Sequence, residues 1–271
     1  MTVCIAVKSS KHERMIFVAD RLLSDDTTSI ESALKIAPVD PKRQSWLIMF
    51  AGHAPRFSQL RERIGALLTG DDLADVIAAC ELAYAAELQK RIETEILLPY
   101  GWSRAAFFQN GRSMLDEYRF GAIADQIGQM DLGIELLVGG FDSQGNQHLF
   151  ELSGTGVVTR IDQLGFHVIG NGRYSALGAL YPFPALGYED DFNEVVYRAI
   201  AAKFAAEQAP GVGRDTMVVS LSRNGIDAVL LTSNLEELRT VWRATERPPL
   251  PDGALEMIDK NLLIVRDIKK P

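Results

Sequence analysis

Met1-Thr2-Val3-Cys4-Ile5-Ala6-Val7 and, after a short polar interval, Met15-Ile16-Phe17-Val18-Ala19-Asp20 form the most strongly patterned stretch of the chain. Val3, Ile5 and Val7 alternate with Thr2, Cys4 and Ala6, which is the period of a β-strand. Lys8 to Glu13 is polar and reads as a turn before the second apolar run, Met15 to Ala19. Together they predict an antiparallel hairpin whose open end brings Asp20 beside Thr2. Runs this continuously apolar, here and at Trp46-Leu47-Ile48-Met49-Phe50, predict sheets covered on both faces.

Thr2 directly follows Met1 and is small enough for the methionine to be trimmed. Removal would leave a free α-amine beside the threonine's own hydroxyl. A hydroxyl is a weak nucleophile until a base takes its proton, and an N-terminal amine on the same threonine can be that base. The ordinary α-amine pKa of about 7.7–8.0 suits a general base working near neutrality.

The 271 residues contain no evident linker and predict one main domain. Hydrophobic residues at 47% and charged residues at 24% are those of an ordinary globular protein. A formal charge of −8 argues against a general nucleic-acid or anionic-membrane binder, since either would need a basic patch. Cys4 and Cys80 are the only cysteines, too few for a disulfide framework or a zinc cluster. The four histidines, His12, His53, His148 and His167, are scattered without close ligand spacing, so neither a metal nor a cofactor is expected. His53 follows Gly52 and is a candidate to line a pocket. Neither a signal-peptide pattern nor a membrane-spanning apolar run is present, and the expected location is the cytoplasm.

After a polar stretch from Ser24 to Ser32, Ala33-Leu34-Lys35-Ile36-Ala37 leads to a turn over Pro38–Gln44 and the strand at Trp46–Phe50. Helical spacing follows in Phe57, Leu60, Ile64, Leu67 and Leu68, and again in Leu73, Val76, Ile77, Cys80, Tyr84, Leu88 and Ile92, with Asp71-Asp72 capping the second helix. Residues 99–130 read as a helical extension and a candidate interaction surface. A second hairpin is predicted at Ile134–Asp142 and His148–Leu152, then strands at Val157–Ile161 and Gly165–Ile169. Gly170-Asn171-Gly172 opens a short helix. It lacks the third glycine and the downstream acid of a dinucleotide site. Asp190-Asp191 caps a helix over Phe192–Gln208, with Val195, Val196, Ala199, Ile200 and Phe204 inward. A third hairpin, Thr216–Leu221 and Ile226–Leu231, turns on Asn224-Gly225. No Gly-x-Ser-x-Gly elbow occurs, so a serine triad has no anchor. This order predicts an α+β fold, two antiparallel sheets with helices packed outside them, over residues 1–232, followed by a peripheral tail, 233–271.

Taken in order, Thr2-Val-Cys-Ile-Ala, Val18-Ala-Asp20, Lys35-Ile36, Phe50-Ala-Gly52, Val138-Gly-Gly-Phe-Asp142 and Ile169-Gly-Asn-Gly172 are similar to segments of proteasome β-type subunits. They also resemble the peptidase subunit of the simpler bacterial ATP-dependent protease. The likeness is closest to the bacterial proteasome-like branch, where stretches like Leu97-Leu-Pro-Tyr-Gly101 and Ala209-Pro-Gly-Val-Gly213 also occur. It covers about residues 2 to 232. The resemblance implies a four-layer αββα sandwich of the N-terminal nucleophile (Ntn) hydrolases, acting on peptide or amide bonds. By that likeness Thr2 would be the nucleophile, Lys35 would lower the pKa of its hydroxyl and amine, Asp20 would hold Lys35, and the Gly52 N–H would meet the oxyanion. Asn171 stands where a serine between two glycines helps organise the amine, and Asp215 would match a supporting aspartate. Each has a plainer alternative: Asp20 ending a strand, Lys35 on a solvated edge, Gly52 in a turn, Asp215 bound to Arg214. The resemblance further implies a homo-oligomer, as a ring, with an ATP-dependent unfoldase as a candidate partner. A non-catalytic structural or binding subunit and a small-molecule amidase are the rival expectations.

Overall fold

The computed structural model describes residues 2–24, 29–31, 34–183, 191–231 and 235–245. Met1, Ala33 and the expected cap Asp190 fall outside them. The chain divides into two units, residues 1–235 and 236–271. Of the second, one helix is described, Glu236–Thr245, with an Arg239–Glu236 ion pair at 3.6 Å along its own surface.

The first unit is built on two five-stranded antiparallel sheets. In the first, β1 (Cys4–Ser9) lies between β2 (Arg14–Asp20) and β10 (Phe166–Ile169), and β2 continues to β11 (Thr216–Ser222) and β12 (Gly225–Leu231). The second runs β5 (Ile36–Asp40), β6 (Arg43–Gly52), β7 (Ile134–Phe141), β8 (Gln147–Ser153) and β9 (Val157–Arg160). The expected first hairpin forms with Cys4 opposite Ala19 and Val7 opposite Ile16. The polar stretch after Asp20 carries a two-stranded ribbon, β3 (Leu22–Ser24) with β4 (Ser29–Glu31).

Strand alternation sorts the core into layers. Cys4, Ala6, Met15, Phe17 and Ala19 of the first sheet meet Leu47, Met49, Ala51, Leu137 and Leu149 of the second. The opposite face of the second sheet, including Trp46, Ile48, Phe50 and Val138, packs on Phe57, Leu60 and Ile64 of α1 (Ala54–Leu67) and on Val76, Cys80 and Tyr84 of α2 (Leu73–Arg91). The outer face of the first sheet is covered by α6 (Phe192–Ala206), which touches β1 and β2 and packs on α5 (Arg173–Leu180). The result is a four-layer αββα sandwich.

Three local expectations need correction, and a fourth, the helical extension, is met in finer detail. The turn between β5 and β6 is only Pro41-Lys42, and Pro38 lies within β5, an edge strand, where its missing N–H does least harm. Asp72 occupies the N-cap position of α2, yet its carboxylate accepts from the Ser143 N–H (3.3 Å) instead of from its own helix. The third hairpin turns on Arg223-Asn224, with Gly225 rather than Asn224 at positive φ (108°). The extension comprises two helices, α3 (Arg104–Met114) and α4 (Glu117–Gln129), separated at Leu115-Asp116. Ser103 and Asp116 cap them through Ala106 N–H (3.2 Å) and Arg119 N–H (2.9 Å).

These two helices have a small core of their own, in which Phe107 stacks on Phe120 at 4.9 Å and meets Ile92, Ile96, Leu97 and Ile123. Phe107→Ala should remove about 3–5 kcal/mol of packing from that cluster alone. Hydrogen exchange is expected to accelerate across α3 and α4 while β1 and β2 stay protected.

Candidate active site

The end of β2, the start of β1 and the residue preceding β5 converge at one buried point. Register places Asp20 opposite Val3: the Asp20 N–H donates to the Val3 carbonyl (3.2 Å), and the Val3 N–H donates to Asp20 Oδ1 (2.9 Å). Lys35 enters from the second sheet, with Nζ 3.0 and 2.9 Å from the two Asp20 oxygens. The Thr2 hydroxyl donates to Asp20 and accepts from Lys35. Thr2, Asp20 and Lys35 are 3%, 0% and 1% exposed, so neither charge has water to lean on.

Removing such a pair from water costs several kcal/mol per ion, and only near-complete hydrogen bonding offsets it. Asp20 receives that treatment. Besides Thr2, Val3 and Lys35, its Oδ2 accepts from the Leu22 and Gly213 amides, each at 3.1 Å. Gly213 is itself held by Lys203, a fully buried lysine of α6 whose ammonium donates to the Gly213 and Arg214 carbonyls (2.9 and 2.8 Å) and pairs with Glu207 at 2.5 Å.

The main chain of Thr2 is seated by the loop 170–172. The Gly172 N–H donates to the Thr2 carbonyl (3.2 Å). Gly170 has φ +88° and packs so closely that a Cβ there would lie 2.4 Å from the same oxygen. Gly52, at φ +115°, is equally constrained, because a Cβ would stand 2.1 Å from the Gly133 carbonyl. Gly52, Gly170 and Asn171 line one cavity of about 420 Å³, together with Glu135 and Asp131. Its lining charges are both carboxylates.

Of the six residues singled out in the sequence, Thr2, Asp20 and Lys35 are in mutual contact, and Gly52 and Asn171 share the adjoining cavity. The Asn171 side chain is exposed and makes no hydrogen bond to the described residues. Asp215 enters through its backbone, its carbonyl accepting from the Arg21 N–H (3.0 Å). Among the described residues no hydrogen bond joins its half-buried carboxylate to Thr2, Asp20 or Lys35. His53 is exposed at the N-cap position of α1 and does not line the cavity. No grouping of three or more metal-ligating side chains occurs among the described residues.

Sequence reasoning missed Glu135, Lys203 and the role of Cys4. The first two carry a detectable signal, an acid within the apolar run Ile134–Phe141 and a lysine on the inward stripe of α6 beside Ala199, Ile200 and Phe204. Cys4 lies two residues from Thr2 and donates from Sγ to the Phe50 carbonyl (3.3 Å). Burial pushes its thiol up to about 12, despite the opposing pull of the Lys35 ammonium.

No protein-family model matches the chain, and no curated protein matches it either. Among solved structures it is similar to a mutant of Anbu from Hyphomicrobium sp. strain MC1, at 12% identity and a TM-score of 0.63, covering 100% of both chains. The fold is proteasome-like. At this identity the likeness to Anbu concerns architecture: two antiparallel sheets between helical layers, of the Ntn type. No helix among the described residues is long and apolar enough to cross a membrane.

Two outcomes follow from the geometry. Asp20→Asn leaves the Lys35 ammonium buried without a counter-charge, and should cost about 3–5 kcal/mol, read as a lowered urea midpoint. The Lys35→Met and Asp20→Asn double variant should recover part of that loss. Native protein at pH 8 should take up no iodoacetamide on Cys4, because a thiol titrating near 12 is almost wholly protonated there, whereas the urea-unfolded chain should be alkylated, as mass spectrometry would show.

Proposed function

We propose that this chain is an N-terminal threonine hydrolase that cleaves amide bonds, with peptides as its substrates, once Met1 has been removed. The observation that carries the reading is the buried contact of the Thr2 hydroxyl with both Lys35 and Asp20. A structural threonine needs neither a buried ammonium nor a buried carboxylate, and a pair that costly to bury suits a site whose chemistry uses the charge.

In this reading the freed α-amine of Thr2 takes the hydroxyl proton, through a water, while the Lys35 ammonium stabilises the oxygen that is losing it. Oγ1 attacks the substrate carbonyl. The Gly52 N–H receives the oxyanion, a contribution of about 10²–10³ in rate for one donor. Collapse expels the leaving amine, which collects the proton held by the α-amine, and leaves an acyl ester on Thr2. Water then adds with the same amine as base, releasing the acid and restoring the hydroxyl. Asp20 accepts hydrogen bonds throughout and keeps Lys35 aimed at the threonine oxygen. The proteasome-like fold supports oligomeric assembly, and we place the enzyme in a cytoplasmic homo-oligomeric ring that an ATP-dependent unfoldase could feed.

Asn171 favours a second reading, a non-catalytic subunit on the same scaffold, because it supplies no hydroxyl beside the threonine. Protein prepared with Thr2 as its first residue separates the two. Treatment with a β-lactone should add one acyl mass, mapped to the Thr2 peptide, and Thr2→Ala should take up none and lose peptide hydrolysis at least about 10³-fold. Absence of an adduct, with hydrolysis equal in both proteins, would leave the structural reading standing.

A further inference from the structure

We infer that Glu135 is a positioning residue for Thr2, holding from the second sheet the loop that orients the threonine main chain. The inference rests on the reading of Thr2 as nucleophile. Glu135 lies on β7 opposite Ala51, one register step from Gly52 opposite Ile134, and so belongs to the strand pair that also carries the cavity's glycine. Its Oε2 accepts from the Gly170 N–H at 2.8 Å and from Arg173 Nη2 at 3.2 Å. Arg173 opens α5, directly after the loop. Its guanidinium also reaches Glu151 Oε1 (3.4 Å), whose other oxygen meets His167 Nε2 (2.5 Å). One carboxylate therefore anchors the loop at Gly170 and, through Arg173, just beyond Gly172.

That loop holds the carbonyl side of the Thr2 backbone. Gly170 packs against the Thr2 carbonyl and Gly172 donates to it, while Asp20 and Lys35 fix the hydroxyl on the other side. Asp20 also holds the N–H side of the Thr2–Val3 peptide, through Val3 (2.9 Å), so the loop is the support on its carbonyl side, and the torsion between hydroxyl and main chain sets whether the α-amine can reach the hydroxyl proton. Asn171, at the loop's tip, bonds to nothing among the described residues. The anchoring falls to Glu135, which crosses from the other sheet. A carboxylate accepting an amide N–H is a strong, directional tie, and a displacement of about 1 Å at a reacting group can lower a rate about 10²-fold.

The test uses full-length protein with Thr2 as its first residue and follows acylation by a β-lactone across its concentration range, well below the melting temperature. Glu135→Ala should lower the saturating acylation rate about 10²-fold, with the half-saturating concentration within about twofold of the original. Glu135→Gln keeps an acceptor oxygen for Gly170 and should recover most of the rate. Glu135→Asp keeps the charge but withdraws the oxygen by one methylene, and should behave like the alanine variant. This variant carries the test if Glu135→Ala does not fold. A general loosening of the fold would not split rate from half-saturation, nor be rescued by glutamine. Wild-type reactivity with unchanged rates in Glu135→Ala or Glu135→Asp would overturn the inference alone. An unreactive wild type would overturn the nucleophile reading, and this one with it.

Discussion

The ion pair between Lys35 and Asp20, closed over the Thr2 hydroxyl, is the most demanding interaction in the molecule. Two opposite charges excluded from water are tolerable only when each remaining lone pair and proton has a partner. Apart from the neighbouring Leu22 amide, those partners come from distant stretches: amides at Val3 and Gly213, and the ammonium of Lys35, just before the strand that begins the second sheet. The pair therefore acts as a requirement on the fold. Two sheets must end at the same place, and two loops must arrive with backbone N–H groups facing inward.

The core between the sheets is graded to allow this. Near the pair its inward side chains are small, Cys4, Ala19 and Ala51, whereas further along the strands they are Met15, Phe17, Phe141 and Leu149. Small side chains let the sheets approach, and the Cys4 thiol reaching the Phe50 carbonyl shows them in contact there. Gly52 and Gly170 admit no Cβ for a different reason, since each meets a carbonyl of the neighbouring segment in its own sheet, Gly133 and Thr2. Lys203 supports one side of the site through Gly213, and burial of its whole stem in α6 makes that support part of the hydrophobic core.

What the sequence revealed, and what it withheld, follows the range of the forces involved. Hairpins and helices are written in local periodicity, so β1 with β2, β11 with β12 and the stripes of α1, α2 and α6 were readable from spacing. Asp20 beside Thr2 came from the same source, since antiparallel pairing over a short turn determines both ends. Lys35 was nominated only by the ordered resemblance, because nothing local says that a lysine before an edge strand points inward. Asp72 looked like a helix cap and bonds a distant amide instead; local chemistry allowed both, and tertiary contact chose. Glu135 and Lys203 went unnoticed because their partners, Gly170 and Gly213, lie in other elements. The crossing from β9 in one sheet to β10 in the other likewise leaves no periodic mark.

The position of β10 has a consequence in time. β1 begins at Cys4, yet one of its two neighbours begins at Phe166, and the loop that clasps the Thr2 carbonyl follows directly after. A ribosome adding about 5–20 residues per second needs roughly eight to thirty seconds to make the intervening chain. Throughout that interval β1 lacks its second partner and Thr2 lacks its clasp. Once β10 docks, the threonine is 3% exposed. The surroundings of the threonine are thus completed only after more than half of the chain has been made, so its burial is a late event in synthesis although it stands near the start.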